Sequence, residues 1–221
     1  MDSNRVQIEN KGDNYYFNRI KMAIYEDLVK MSNGAEDGWG KSYYHVIPKL
    51  INENGYKVGA EIGVAYGGHS EAILLNTRID TLYSIDPYSL EHDNTDGYTL
   101  PNGQNFTQKE YEELNGFAQT RLFKAAGSRS KFIRLSSHAA FAHFCNKIEL
   151  DFVFIDARHR YEDLYTDIYL WKEVIRKGGM ISGHDYGHES YPGIKCAVDE
   201  WFPSTIKTVH VEDGNVWWVK L

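Results

Sequence analysis

The chain has 221 residues, 42% hydrophobic and 25% charged, which suits one domain with its own core. Its formal net charge of −7 argues against broad nucleic-acid binding, which needs basic surface to release counterions, and no apolar run approaches the ~18 residues of a membrane-spanning helix. Two cysteines, Cys145 and Cys196, exclude a disulfide scaffold, and the first residues lack the apolar stretch of a secretion leader, so a cytoplasmic location is expected.

Phe17, Ile20, Ile24, Leu28 and Met31 fall at helical spacing and predict an amphipathic helix over 14–31, stopped by Asn33-Gly34. A second helix is expected over 41–54, ending near Gly55. These two make an N-terminal helical cap, 1–55, ahead of one compact unit, 56–221. The cap carries an aromatic cluster of Trp39, Tyr43, Tyr44 and His45, suited to packing the second helix on a sheet or to stacking on a ligand. Short apolar runs then alternate with helical segments. Strands are expected over 58–62, 81–85, 131–135, 150–155 and 180–183. Helices are expected over 67–76, 107–126, 136–145, 161–177 and 191–202, the fourth of these stopped by Gly178-Gly179. Residues 206–211 and 216–221 read as a terminal hairpin turning at Asp213-Gly214-Asn215. Within it, one of Trp217 and Trp218 should face inward and the other outward, the outward one a candidate homodimer contact. The polar connection 87–106 is long for a compact domain and reads as a lid over a ligand.

Strands alternating with helices imply a parallel sheet covered on both faces, and ligands of such sheets bind beyond the carboxyl ends of the strands. The first such end reads Glu61-Ile-Gly63-Val-Ala-Tyr66-Gly67-Gly68-His69-Ser70. Its glycines allow a tight turn and close approach of a ligand to the backbone. It lacks the second glycine of the dinucleotide fingerprint and the Gly-Lys-Ser/Thr of a triphosphate loop. A carboxylate at Glu61 disfavours a pyrophosphate and favours a ligand carrying an ammonium and a sulfonium, as S-adenosylmethionine does. Asp86 ends the second strand, where an acid can accept both ribose hydroxyls.

The segments AEIGVAYGGHS and LYSIDPY resemble the first two motifs of the class I S-adenosylmethionine-dependent methyltransferases. FIDARHRYEDLYTDIYLW and GGMISGHDYGHESYPGIKCAVDEW are similar to a small-molecule O-methyltransferase branch that includes sugar methyltransferases of macrolide and glycan pathways. The resemblance covers about residues 58–201. It implies a Rossmann-like fold, a mostly parallel seven-stranded sheet with helices on both faces and an antiparallel C-terminal hairpin. By this resemblance Glu61 and Gly63 hold the amino-acid part of the cofactor, and Tyr66, Gly67 and Ser70 of the same turn, with Asp156 after the fourth strand, are also expected at the cofactor. Asp86 holds the ribose, and Ser136 and Ser137 lie near the adenine.

A second group follows the fourth and fifth strands: Asp156 and His159, then His184 and Asp185. Adjacent parallel strands bring these ends together. Asp156, His184 and Asp185 suit a divalent cation, magnesium or manganese, that holds two acceptor oxygens and lowers the pKa of one. Methyl transfer from a sulfonium needs a general base and tight alignment, and the His159 imidazole fits the base. In the macrolide sugar methyltransferases that the chain resembles, a metal-binding Asp and a base His stand at the positions of Asp156 and His159. Paired acids stand there where this chain has His184-Asp185. The reading is therefore an O-methyltransferase of a sugar or glycan hydroxyl, with a small-molecule or glycan acceptor. A catechol-like acceptor, a hydroxylation on the related oxygenase-linked branch, a nicotinamide-dependent oxidoreductase and a non-catalytic binding module stand as alternatives.

Overall fold

The computed structural model describes residues 42–92 and 105–221. The helix expected over 14–31, Trp39 and the middle of the expected lid lie outside the described residues. Among the described residues seven strands form one sheet: β1 (Val58–Ile62), β2 (Thr81–Ile85), β3 (Ser130–Ile133), β4 (Leu150–Ile155), β5 (Ile175–Gly183), β6 (His210–Glu212) and β7 (Val216–Lys220). Their order is β3-β2-β1-β4-β5-β7-β6. The first five are parallel, and β7 runs antiparallel between β5 and β6. The strand order reverses between β1 and β4, so the carboxyl ends of these two strands open a crevice.

Among the described residues six α-helices flank the sheet: α1 (Val46–Asn54), α2 (Gly68–Asn76), α3 (Gln108–Ala126), α4 (Ser137–Phe144), α5 (Tyr161–Trp171) and α6 (Pro192–Trp201). The central strands are buried on both faces. Phe152 and Phe154 of β4 pack with α1 and α2, whereas Val153 and Ile155 pack with α5 and α6. Thr107 starts α3 with a reciprocal capping box, its N–H donating to Glu110 Oε2 at 2.9 Å. Asp151 fastens the start of the sheet: its Oδ2 accepts the Val58 N–H at 2.8 Å, and Arg176 Nε donates to its Oδ1 at 2.5 Å.

Two sequence expectations change. The helix expected over 161–177 ends at Trp171, and β5 begins at Ile175 rather than at 180. The Gly178-Gly179 pair does not stop a helix; it accommodates a bulge between β4 and β5. Gly178 takes φ +79°, and a Cβ on Gly179 would sit 2.5 Å from the Asp151 carbonyl. Trp217 is fully buried as expected of one member of its pair, and Trp218 is partly exposed. It packs at the edge of the opposite core layer and stacks on His210 at 3.9 Å.

Candidate active site

Backbone bonds carry the ladder past the strand ends and fix the residues that follow. Gly63 N–H donates to Ile85, Asp86 N–H to Ile133, Asp156 N–H to Ile62 and His184 N–H to Ile155, all at 2.8–3.2 Å. The functional side chains thus stand on a continuous hydrogen-bonded rim. Gly63 is required there twice over. Its φ is +86°, and a Cβ would lie 2.0 Å from the Asp156 carbonyl oxygen. Gly67 also takes a left-handed conformation, φ +78°, as the N-cap of α2. Three non-glycine residues that follow strand ends share that region: Ala65, Tyr88 and Asp185. Such conformations persist where the surroundings over-determine them.

The crevice is lined by Ile62, Gly63, Ile85 and Asp86 at the ends of β1 and β2, by Ser136 and Ser137 after β3, and by Asp156, Asp163 and Asp167 after β4. Of the residues expected at the cofactor, Gly63, Asp86, Ser136, Ser137 and Asp156 are therefore on its wall. Glu61 is placed one layer behind. It is 2% exposed, with Oε1 2.9 Å from His69 Nδ1 and Oε2 accepting the Ser70 hydroxyl, which in turn meets Ser84 at 2.8 Å. Ser70 and Gly67 thus belong to the anchor beneath the turn, and Tyr66 packs against Phe117. The Glu61 carboxylate is thus met by His69 and Ser70. Asp86 is likewise bound to the turn, its Oδ2 accepting the N–H groups of Val64 and Ala65 at 2.9 and 3.2 Å and its Oδ1 that of Tyr88 at 2.9 Å. The start of the expected lid is pinned, with Arg134 and Gln108 both donating to the Tyr88 carbonyl.

The second group converges as expected. One ligand atom from each of Asp156, His184 and Asp185 lies within 4.8 Å of the others. His159 Nε2 is 3.0 Å from Asp185 Oδ2 and 3.6 Å from Asp156 Oδ1. His184 Nδ1 is 3.3 Å from Asp185 and 3.8 Å from Asp156. Two carboxylates and an imidazole are a donor set for a divalent cation, with manganese favoured over magnesium by the nitrogen. Burial alone disfavours charge on all four groups, but their mutual hydrogen bonds and opposite charges prevail. The His159 imidazole is pushed up to about 10, and the carboxyls of Asp156 and Asp185 are held below the usual range. Without a competing cation, His159 is therefore charged at neutral pH, whereas the sequence reading has it neutral.

Tyr43 joins this group from the N-terminal cap. Its hydroxyl donates to Asp156 Oδ2 at 3.1 Å, and its ring stacks on His184 at 4.0 Å. Burial first, then the charge of Asp156, raises its phenol far above the ordinary value, so it stays a donor. Tyr191 stacks on the other histidine, His159, at 4.2 Å. Sequence reasoning noticed the aromatic cluster but had no means of aiming Tyr43 at a residue 113 positions away. Asp167 it missed altogether, although one signal was available: an acid on the apolar stripe of α5.

A family model described as a methyltransferase domain matches residues 60–186. The uncharacterized protein R132 of Acanthamoeba polyphaga mimivirus is 27% identical over 159 residues, which cover 68% of this chain and 63% of that protein. The chain thus spans under two thirds of the length of this curated relative. Among solved structures, an O-methyltransferase of Bacillus cereus in complex with SAH superposes with TM-score 0.60 at 13% identity, covering 90% of this chain and 91% of that one. CalS11, a TDP-rhamnose 3'-O-methyltransferase of calicheamicin biosynthesis, superposes with TM-score 0.52 at 10% identity, covering 96% of both chains. No helix among the described residues is long and apolar enough to cross a membrane. With the matched segment running from β1 to just past β5, the chain belongs to this methyltransferase-domain family, on a fold shared with solved O-methyltransferases.

Proposed function

We propose that this chain transfers the methyl group of S-adenosylmethionine to a hydroxyl of a small polyhydroxylated acceptor, a sugar or glycan in preference to a catechol. The observation that carries this reading is the convergence of Asp156, His159, His184 and Asp185 beside Gly63, at the strand ends where the crevice opens. Asp156, His184 and Asp185 would hold a divalent cation. When bound, that ion supplies Lewis acidity to two oxygens of the acceptor, and vicinal hydroxyls match that demand. His159 moves the acceptor proton. Its Nε2 reaches the same two carboxylates, and it becomes a base when they are engaged elsewhere. Tyr43 and Tyr191 keep the two imidazoles in place by stacking. Gly63 and Asp86 shape the backbone on which the cofactor rests. The sugar preference is supported by the sequence resemblance and by CalS11, named as a rhamnose methyltransferase.

The test is an assay of SAH release from S-adenosylmethionine with sugar nucleotides and with catechols, with manganese or with chelator. Manganese-dependent turnover of a sugar hydroxyl is expected. Absence of S-adenosylmethionine binding overturns the cofactor reading. Turnover untouched by chelator overturns the metal role, and turnover of catechols alone overturns the acceptor.

A further inference from the structure

The turn Asp213–Asn215 joins β6 to β7 and lies beyond the segment that the family model matches, as Tyr43 lies before it. Both nevertheless reach the acid and histidine group. The Asn215 carbonyl accepts the Tyr186 N–H at 3.0 Å, which fastens the turn to the residues just after β5. Gly214 takes φ +69°, and a Cβ there would sit 2.7 Å from the Tyr43 Cβ. Glycine thus lets the turn and the N-terminal cap close on one another at that point. The clasp continues along the cap, with His45 Nε2 3.6 Å from Asp213 Oδ2 and Lys49 Nζ 3.2 Å from Glu212 Oε2.

His184 is held between these two segments. Its backbone N–H donates to the Ile155 carbonyl at 3.2 Å, and its ring lies on Tyr43 with centroids 4.0 Å apart and planes 22° from parallel. Nδ1 faces the acids, 3.3 Å from Asp185 and 3.8 Å from Asp156. The ring also donates to the backbone carbonyl of Gly214. With Nδ1 turned to the acids, Nε2 is the nitrogen left for that carbonyl. A neutral imidazole has one N–H and one lone pair, so an acceptor that claims the N–H at one nitrogen leaves the lone pair on the other.

We propose that Gly214 is a positioning residue of the metal site: its carbonyl accepts the Nε2–H of His184 and so fixes the tautomer that presents Nδ1 as the ligating nitrogen. This rests on the divalent-cation reading above and adds the terminal hairpin to the site. An acceptor behind a ligating imidazole orients the ring and raises the basicity of the nitrogen that binds. A carboxylate in the place of His184 would need no such support, because it accepts through either oxygen.

Nuclear magnetic resonance of the wild-type protein, carrying isotope-labelled histidine and loaded with spin-active cadmium, tests it. His184 is identified by its through-space contact with the Tyr43 ring. Cadmium coupling is expected at its Nδ1, with Nε2 keeping a proton that exchanges slowly with water. Coupling at Nε2, or none at His184, overturns the assignment and leaves the cation on the carboxylates. A wild type that binds neither cadmium nor manganese overturns the metal reading and this one with it. Gly214→Ala pushes the turn off Tyr43, so the Nε2 proton should exchange faster and manganese affinity, read by electron paramagnetic resonance, should fall about tenfold. Exchange and affinity both unchanged overturn the positioning role. His184→Asn sets an amide oxygen where Nδ1 stands, whereas His184→Gln sets its amide where Nε2 stands. The Asn variant is expected to bind manganese at least about tenfold more tightly than the Gln variant. The reverse order overturns the choice of nitrogen. The resonance experiment needs no substitution, so it decides the matter if a variant fails to fold.

Discussion

The two halves of the crevice are built on opposite plans. On the Gly63 side, the acids are satisfied by the protein itself: Asp86 by backbone N–H groups, Glu61 by His69 and Ser70. That side is a rigid seat whose shape depends on backbone conformation. On the Asp156 side, the acids face one another across two imidazoles, and the charges await a ligand. A carboxylate at a strand end is therefore not by itself a ligand contact. What distinguishes the two kinds is whether backbone or side-chain donors of the adjoining turn and helix hold its oxygens.

The contrast can be broken most forcefully on the Asp156 side. Asp156→Ala is expected to lower turnover by at least about a thousandfold while S-adenosylhomocysteine affinity, measured by calorimetry, changes by less than about threefold. A matching loss of cofactor affinity would merge the two halves into one site. On the other side, Gly63→Ala should cost about 2–4 kcal/mol of folding stability in a denaturant titration, because its methyl group meets the Asp156 carbonyl and its φ is unfavourable. A stable variant would show that the seat is softer than described. Tyr43→Phe keeps the stack on His184 and removes the hydrogen bond to Asp156; manganese affinity should fall about tenfold. Unchanged affinity would confine Tyr43 to packing.

The smallest effect is on the pH dependence of the metal-free protein. His159 is raised from 6.5 to about 10 by its two carboxylate partners. A group with a raised folded-state pKa contributes stability that is complete below its unfolded value and lost as pH rises through the folded one. Thermal melts in chelator should therefore show stability declining from about pH 6.5 towards 10, and His159→Ala should flatten that slope. An identical slope in the variant would remove His159 from the charge cluster.

Much of this was legible along the chain. Local patterns of apolar residues, glycine and capping groups located the described helices and strands, because hydrogen bonding within an element depends on neighbours in sequence. The exceptions show the limit. Gly178-Gly179 reads locally as a helix stop, and only pairing with β4 makes it a bulge. Glu61 reads locally as a ligand contact, and only α2 folding back places His69 on it.

By itself the sequence determined the alternation of elements, the glycines the crevice needs and the residue types at the strand ends. These follow from steric and periodic constraints that act over a few residues. Tertiary structure decided which donors meet each acid. It carried Tyr43 to Asp156 and brought the Ser137 hydroxyl to Asp167. A side chain's partner across the sheet is fixed by packing and burial in three dimensions, and spacing along the chain holds no record of it.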